Sequence, residues 1–255
     1  MEFCTVEKAD HVLTVTLNRP ERLNALHPPA SAELGAVFDD YAADDDLWVA
    51  VVTGAGRAFC AGNDLRYVAE GNKPFRTSGG FGGLTSRFDL TKPLVAAVNG
   101  FALGGGLEVA LACDLIIASE DAVLGLPEPT VGTGAIGGGL QRLPRMIGSK
   151  RALGMILTGR HITAREGYEL GFVNAVVPHD QLMEETGKWV AQIVRCAPLA
   201  VRASKDVVYR SLDIPSLSEA MANRYQSVWE MLHSEDFAEG AKAFSEKRAP
   251  VWKGR

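Results

Sequence analysis

Apolar positions along the first 178 residues form short runs that are separated by polar or glycine-rich segments. Short aliphatic and β-branched runs are typical of strands, whereas apolar residues that recur every three or four positions predict helices. On these two patterns we predict strands over 11–17, 48–53, 94–98, 115–119, 123–124 and 172–177, and helices over 30–43, 81–90, 107–113, 150–157 and 163–170.

Beyond residue 178 only the helical pattern continues, and it predicts helices over 180–195, 199–212, 217–232 and 235–247. Strands mixed with helices, followed by helices alone, indicate an α/β fold with a helical C-terminal extension. We place the boundary near residue 195. A core then spans 1–195 and a C-terminal helical region spans 196–255.

One stretch, residues 99–114, combines features that no other part of the chain has. Three glycines, Gly104 to Gly106, follow a predicted strand and precede a segment that is apolar except for Glu108. A helix that is apolar on all sides is buried, and its first amides are unpaired donors at the positive end of the helix dipole. Such a turn suits a developing oxyanion beside a catalytic acid or base. A first-turn acid can also serve only as a partner of the dipole, so this stretch alone leaves both readings open.

Composition excludes several classes of protein. The net charge is −5 and there is no basic tract, which argues against nucleic acid and anionic membranes as partners. No apolar run has the length of a membrane span, and the first eight residues lack a signal-peptide pattern. We therefore expect a cytoplasmic location. The scattered cysteines form no Cys-x-x-Cys pair, which predicts reduced thiols and no metal site; they are Cys4, Cys60, Cys113 and Cys196.

Other common catalytic motifs are missing from the sequence. Gly54-x-Gly56 lacks the third glycine of a dinucleotide fingerprint, and there is neither a phosphate-binding loop nor a Gly-x-Ser-x-Gly elbow. No two histidines have the spacing of metal ligands. Dehydrogenase, nucleotide triphosphatase, serine hydrolase and zinc enzyme therefore lose support.

A second carboxylate stands out between two prolines. Glu128 lies between Pro127 and Pro129 in an otherwise apolar setting. A carboxyl in apolar surroundings has a raised pKa and can carry a proton near neutrality. We expect Glu108 and Glu128 to hold a water between them, with the amides of Ala61 and Gly105 converging on one oxygen.

These motifs together resemble the enoyl-CoA hydratase/isomerase (crotonase) superfamily over essentially the whole chain. The matching residues are Arg19-Pro20, Leu23-Asn24-Ala25-Leu26, Ala58-Phe59-x-Ala61-Gly62-x-Asp64-Leu65, Asn99-Gly100-x-Ala102-x-Gly104-Gly105-Gly106-x-Glu108, Cys113-Asp114, Gly125-x-Pro127-Glu128, Gln141-Arg142-Leu143, Leu157-Thr158-Gly159 and Ala164-x-Glu166.

The resemblance implies a spiral of ββα units, a C-terminal helical region that forms trimers or dimers of trimers, and an acyl-CoA thioester substrate. Coenzyme A would then be part of the substrate, with no further cofactor. The thioester oxygen would lie on the amides of Ala61 and Gly105. Because hydratases of the family have glutamates at both matching positions, Glu108 would activate water and Glu128 would protonate the α carbon. The implied reaction is reversible hydration of a trans-2-enoyl-CoA to a 3-hydroxyacyl-CoA.

The resemblance also implies contacts with coenzyme A. They would come from two segments and from one lysine at the end of the last helix, which in some relatives reaches the nucleotide of a neighbouring subunit. That lysine could equally be a solvated helix end. The residues are Arg22, Leu23, Ala25, Ala61, Gly62, Asn63, Asp64, Leu65 and Lys247.

Two details concern the acyl group. Ala135 stands where the family usually has a proline, in the loop that shapes the floor of the acyl pocket. A narrower resemblance, in Phe81-x-Gly83-Leu84-Thr85, His233-Ser234-Glu235-Asp236 and the segment 246–255, is to a branch that acts on a trimethylammonium acyl group. Such a cation favours an aromatic cage. The candidate cage residues, which could instead only pack the loop, are Tyr67, Phe75, Phe81 and Phe88.

Two alternatives to hydration remain at this stage. One is double-bond isomerisation, or other enolate chemistry of a coenzyme A thioester on the same fold. The other is an acyl-CoA-binding or assembly protein that has lost activity. Retention of both Glu108 and Glu128 argues against the second alternative.

Overall fold

The computed structural model describes residues 1–72 and 77–255. Its strands are β1 (Cys4–Ala9), β2 (Val12–Leu17), β3 (Val49–Gly54), β4 (Ala58–Cys60), β5 (Leu94–Val98), β6 (Phe101–Leu103), β7 (Leu115–Ser119), β8 (Val123–Gly125), β9 (His161–Thr163) and β10 (Ala175–Val177). Its helices are α1 (Pro28–Ala43), α2 (Leu65–Ala69), α3 (Gly105–Ala112), α4 (Gly139–Ile147), α5 (Ser149–Ile156), α6 (Ala164–Leu170), α7 (Leu182–Val194), α8 (Pro198–Ser211), α9 (Leu217–Ala222), α10 (Gln226–Leu232) and α11 (Glu235–Glu246).

The longer strands form one mixed sheet in the order β1-β2-β3-β5-β7-β10. Only β1 and β2 pair antiparallel; the remaining neighbours, from β2 to β10, are parallel. Strands β3 and β5 are buried along their apolar residues, as expected for parallel strands that are covered on both faces. One face packs against the main core, and the other packs against α7 through Leu182 and Val190.

The shorter strands form a second sheet in the order β4-β6-β8-β9. Asn99 and Gly100 alone separate β5 of the first sheet from β6 of the second. The Asn99 side chain accepts a hydrogen bond from Gly54 N (3.2 Å) and donates one to Gly56 O (2.9 Å). A Cβ on Gly100 would lie 2.1 Å from Arg57 O, so this junction requires glycine. It places β6, and therefore α3, against the edge of β4.

The α/β class and most element positions agree with the sequence prediction, but two predicted helices differ and several short elements were missed. The predicted helix over 217–232 is two helices, α9 and α10, with non-helical backbone at Asn223 between them. The predicted helix over 81–90 is only a 3-10 turn over Phe81–Gly83, because Gly82 has a φ of 61°. Sequence patterns missed β1, β4, β6, β9, α2 and α4, most of which are too short to show a periodicity.

The C-terminal helices are tied to the sheets by polar contacts. Lys205 of α8 donates to Asp114 Oδ2 (2.8 Å) and to Lys92 O (2.9 Å), and Trp252 Nε1 donates to Arg195 O (2.9 Å). The division near residue 195 stays a prediction. None of the helices in the described ranges has both the length and the apolar character that crossing a membrane requires. Within those same ranges, no group of three or more His, Cys, Asp or Glu side chains could hold a metal ion.

A buried asparagine holds the loop that follows β2. Asn24 is fully buried; its Oδ1 accepts from Arg19 N (2.8 Å), and its Nδ2 donates to Ala55 O (2.9 Å) and Ala58 O (2.7 Å). Its φ of 57° is in the left-handed region, which asparagine tolerates better than most residues. This one side chain therefore joins the loop after β2 to the loop before β4.

We predict that Asn24→Ala lowers the free energy of unfolding by about 3 kcal/mol, because it strands buried carbonyls without a donor. Urea denaturation at pH 7 measures the change. The matched control is Asn72→Ala, since Asn72 is exposed and its side chain donates to Tyr67 O. Equal stability of the two variants would contradict the role assigned to Asn24.

Candidate active site

The site is built around the start of α3. Gly104 has a φ of 55° and its N–H donates to Gly125 O (2.9 Å), so the turn into the helix is fixed by β8. Gly105 is the first helical residue, and Glu108 lies in the first turn with only 4% of its surface exposed. A carboxyl group is thus enclosed one turn away from unpaired helix amides.

Glycines from a second loop enclose the Glu108 carboxyl. Gly139 N donates to Glu108 Oε1 (2.8 Å). A Cβ on Gly137 would lie 2.5 Å from Glu108 Oε2, and a Cβ on Gly139 would lie 3.1 Å from Oε1. Only residues without side chains let this backbone approach so closely. Burial raises the pKa of Glu108 to about 7, although the Gly139 and Gly137 amides oppose that rise; the nearby Glu128 charge adds to it and Arg142 opposes it.

Glu128 faces the same turn from the other side. It begins a 3-10 turn, Glu128–Val131, directly after β8. Its Oε1 lies 3.2 Å from the position that a Cβ of Gly104 would occupy. Its Oε2 is enclosed, and no donor from residues 1–72 or 77–255 reaches it. Burial raises the pKa of Glu128. The structure therefore brings the two predicted carboxylates together around Gly104.

The predicted oxyanion-hole donor Ala61 needs correction. The Ala61 N–H donates to Leu23 O (3.0 Å), so it is already engaged in joining two loops. The Asn63 N–H, two residues later, takes part in none of the hydrogen bonds of the described chain. A Cβ on the intervening Gly62 would lie 3.2 Å from Gly105 N, so this backbone passes directly beside Gly105. The available pair of amides is therefore Asn63 and Gly105.

The two predicted coenzyme A segments do lie together. Leu26 N donates to Gly62 O (2.8 Å), and Asp64 N donates to Leu26 O (2.9 Å). These bonds align the segment containing Arg22, Leu23 and Ala25 with the segment containing Ala61, Gly62, Asn63, Asp64 and Leu65.

Two of the predicted coenzyme A residues have other surroundings. The Asp64 carboxylate pairs with Arg19 (3.0 Å) and caps α2 by accepting from Arg66 N and Tyr67 N. Its side chain therefore holds the loop rather than facing solvent. Lys247 is exposed at the end of α11, and no hydrogen bond or ion pair of the described part of the chain joins it to these segments.

The described candidates for the aromatic cage have different neighbours. The Phe81 ring lies against Gly105, with Cε1 2.4 Å from the position of a Cβ there. Tyr67 instead packs edge-on against His27 at 5.0 Å, and Phe88 is 85% exposed with its ring beside Arg142. Phe75 lies outside the described residues. Of the three described candidates, Phe81 is the one seen in contact with the turn.

Sequence reasoning missed three contributors to this site: Asn63 as a donor, and Gly137 and Gly139 as neighbours of Glu108. The glycine density of residues 132–139 was the available signal, but it does not tell which side chain the loop covers. Ala135, at the position where the family usually has proline, is buried, and its carbonyl accepts from Leu140 N (3.2 Å). It thereby helps to begin α4.

Comparison with known proteins defines the class. The family model described as Enoyl-CoA hydratase/isomerase matches residues 7–255. The chain belongs to this family, and the relatives named below as dehydratases and hydratases are hydro-lyases. The chain is 43% identical over 253 residues to carnitinyl-CoA dehydratase of Salmonella typhi, covering 96% of this chain and 95% of that one. It is 44% identical over 251 residues to carnitinyl-CoA dehydratase of Proteus mirabilis, with the same coverage.

Solved structures confirm the crotonase fold. The enoyl-CoA hydratase of Mycobacterium tuberculosis H37Rv superposes with a TM-score of 0.94 at 38% identity, and both chains are covered completely. A probable enoyl-CoA hydratase/isomerase of Mycobacterium abscessus gives 0.93 at 40% identity, again with complete coverage of both chains. The family and fold expected from the sequence motifs are therefore confirmed.

The raised pKa of Glu108 predicts a pH-dependent difference in stability. The folded chain holds this proton up to about pH 7, whereas an unfolded glutamate releases it near 4.5. The stabilisation is therefore fully present below pH 4.5 and is lost as the pH rises to 7. Relative to Glu108→Gln, we expect the wild type to lose about 3 kcal/mol across this window.

Urea unfolding of both proteins at a fixed concentration, from pH 4.5 to 8, measures this difference. Glu120→Gln, on the exposed surface, is the control and should follow the wild type. Parallel curves for Glu108→Gln and the wild type would show that Glu108 titrates normally.

Proposed function

We propose that this protein catalyses reversible addition of water across the double bond of a trans-2-enoyl-CoA, giving a 3-hydroxyacyl-CoA. The observation that carries this proposal is the pair of enclosed carboxyls, Glu108 and Glu128, on two sides of a turn that also presents unpaired amides. Hydration needs a base for water, an acid for carbon and donors for an enolate oxygen, and this site offers all three.

The surroundings of the two carboxyls favour different roles. The Gly139 N–H donates to Glu108, and a donated hydrogen bond favours the ionised form. Glu128 Oε2 has no such donor among the described residues, so its surroundings favour a protonated carboxyl. Glu108 then accepts a proton from water as the water oxygen bonds to C3, and Glu128 gives its proton to C2. In the reverse direction the two roles exchange.

The enolate formed between these steps would place its oxygen on the N–H groups of Asn63 and Gly105. Asn63 replaces Ala61 because the Ala61 N–H is bound to Leu23 O. The dipole of α3, whose first residue is Gly105, adds to the stabilisation of negative charge.

Coenzyme A would extend along the paired loops that hold Arg22, Leu23, Ala25, Gly62, Asn63 and Leu65. The half-buried or exposed state of Arg22, Asn63 and Leu65 supports this path, since a bound ligand can reach them. Asp64 would contribute by fixing the loop through Arg19. Lys247 would reach the nucleotide only from another subunit.

We propose a carnitinyl group as the acyl group, so that the enoyl substrate is crotonobetainyl-CoA. The support is the 43% identity to a carnitinyl-CoA dehydratase over almost the whole chain. The position of Phe81 beside Gly105 adds one aromatic ring next to the turn, and aromatic rings suit a trimethylammonium group.

We also propose a homotrimer or a dimer of trimers, with no cofactor beyond the coenzyme A of the substrate and with a cytoplasmic location. Large apolar side chains on the C-terminal helices are exposed in the single chain, including Leu217, Met221 and Phe244, the last at 87%. Surfaces of this kind mark protein contacts.

The test is loss of enoyl-thioester absorbance with crotonyl-CoA and crotonobetainyl-CoA. We expect Glu108→Gln and Glu128→Gln each to lower kcat by about 100-fold or more, with Glu120→Gln unchanged. Faster turnover of crotonobetainyl-CoA would support the carnitinyl assignment. Absence of hydration with any short or medium enoyl-CoA would refute the proposal, and a shifted double bond in the product would indicate an isomerase instead.

Replacing a backbone amide by an ester tests which N–H binds the enolate. In an Asn63→Ala background, lactic acid at position 63 removes only the N–H, and we expect about a 100-fold lower kcat. The matched ester at Ala61 breaks the bond to Leu23 O and should reduce stability more than kcat. The reverse result would restore Ala61 as the donor.

A further inference from the structure

Arg142 lies on α4, next to the loop that covers the Glu108 carboxyl. It is the fourth residue of α4, the helix that begins at Gly139. A Cβ on Gly138 would lie 2.2 Å from Arg142 Nη1, so the guanidinium lies directly against the loop that covers Glu108. A shift of the guanidinium would therefore move the backbone that carries the Gly137 and Gly139 amides.

The same guanidinium contacts the segment on the other side of the site. Arg142 Nη2 donates to Thr85 O (3.0 Å), and Arg142 Cζ lies 5.4 Å from the Phe88 ring centroid. Thr85 is buried, and its Oγ1 accepts from Phe81 N (2.9 Å). The Phe81 ring in turn lies against Gly105. One side chain thus connects the loop at Glu108 with the aromatic ring at the oxyanion donors.

We propose that Arg142 is a positioning residue that holds the glycine loop and the Phe81–Thr85 segment together around Glu108, and that its positive charge favours the carboxylate form of Glu108. The expected change in the kcat/KM profile rests on the proposed hydration function. The expected change in the pKa of Glu108 does not.

The charge acts without a direct ion pair. No salt bridge within 4.0 Å joins Arg142 to a carboxylate among the described residues. Burial lowers the pKa of Arg142, and the Glu108 charge opposes this. A guanidinium stays protonated throughout the accessible pH range, so its charge is constant while Glu108 titrates.

The elements around Glu108 also carry other titratable or charged side chains. Helix α3 packs against β4, β6, α4 and the turn over Phe81–Gly83. Cys60 lies on β4, and burial raises the pKa of its thiol to about 12, so the thiol is neutral. Arg145 lies on α4, and its exposed side chain donates a hydrogen bond to Gln141 O. Among the described groups, Arg142 is the cation whose charge lowers the pKa of Glu108, and Glu128 raises that pKa when it is ionised.

The test compares Arg142→Gln, which removes the charge, with Arg142→Lys, which keeps it. We expect Arg142→Gln to move the acid limb of the kcat/KM profile up by about one pH unit. Its deficit relative to the wild type would be about tenfold larger at pH 6 than near pH 9, where only the pH-independent loss that it shares with Arg142→Lys would remain. Arg142→Lys should restore the limb while leaving kcat reduced, because lysine lacks the planar guanidinium.

Arg145→Gln is the matched control, since Arg145 lies on the same helix three residues later and is exposed. It should leave the profile unchanged. An unshifted acid limb in folded Arg142→Gln, checked by thermal melting, would overturn the proposal.

A second readout separates this proposal from the hydration mechanism. Infrared titration of the Glu108 carboxyl, assigned by difference from Glu108→Gln, needs no substrate. A higher Glu108 pKa in Arg142→Gln would support the positioning role even if the wild type hydrated no enoyl-CoA. An unchanged Glu108 pKa would overturn it even if hydration were established.

Discussion

Enclosure of the Glu108 carboxyl is the constraint on which the rest of the site depends. A carboxylate taken out of water must be compensated by donors or it takes up a proton. Here the donor is the Gly139 amide, at 2.8 Å. That distance is possible only because Gly137 and Gly139 have no side chains to collide with the carboxyl oxygens. The glycine-dense loop and the acid therefore form one unit, although Gly139 and Glu108 are 31 residues apart along the chain.

Buried polar side chains, more than apolar packing, determine where the site loops lie. Asn24 joins the loop after β2 to the loop before β4, and Asn99 fixes the passage from one sheet to the other. Asp64 and Arg19 hold the segment that presents the Asn63 amide. Each such group is costly to bury without its partners, so each admits one arrangement of its loop. These polar contacts hold the loop at Gly62 and Asn63 next to Gly105, where a Cβ on Gly62 would lie 3.2 Å from Gly105 N.

Family membership specifies the fold and the class of enzyme, whereas the acyl specificity is a separate property of the site. The match over residues 7–255 and the complete superposition on an enoyl-CoA hydratase establish the fold and the class of enzyme. The match does not specify the acyl group; among the described residues of the candidate aromatic cage, Phe81 lies beside the turn at Gly105. A pocket wall of this kind can change between relatives while the acid pair and the amides stay the same.

Local sequence determined much of the architecture. The buried strands β3, β5 and β7 and the long helices α1, α7, α8 and α11 followed from apolar periodicity, because burial on one or two faces imposes that periodicity. Glu108, Glu128 and Gly105 were also recognisable, since an acid between prolines and an acid after three glycines are rare combinations. The three-residue strands β4, β6 and β9 were not, because three residues cannot show a period.

Only the tertiary structure decided which amides are available and what surrounds each acid. In the sequence, Ala61 and Asn63 flank Gly62 and either backbone N–H could bind a ligand oxygen. In the structure, Ala61 N donates to Leu23 O, whereas the Asn63 N–H has no partner among the described residues. Likewise, nothing local connects Arg142 with Thr85 or Gly139 with Glu108. Hydrogen bonds between distant segments depend on how the two sheets and α3 pack. The residue type therefore indicates which chemistry is possible, whereas the tertiary structure determines which atoms are available for it.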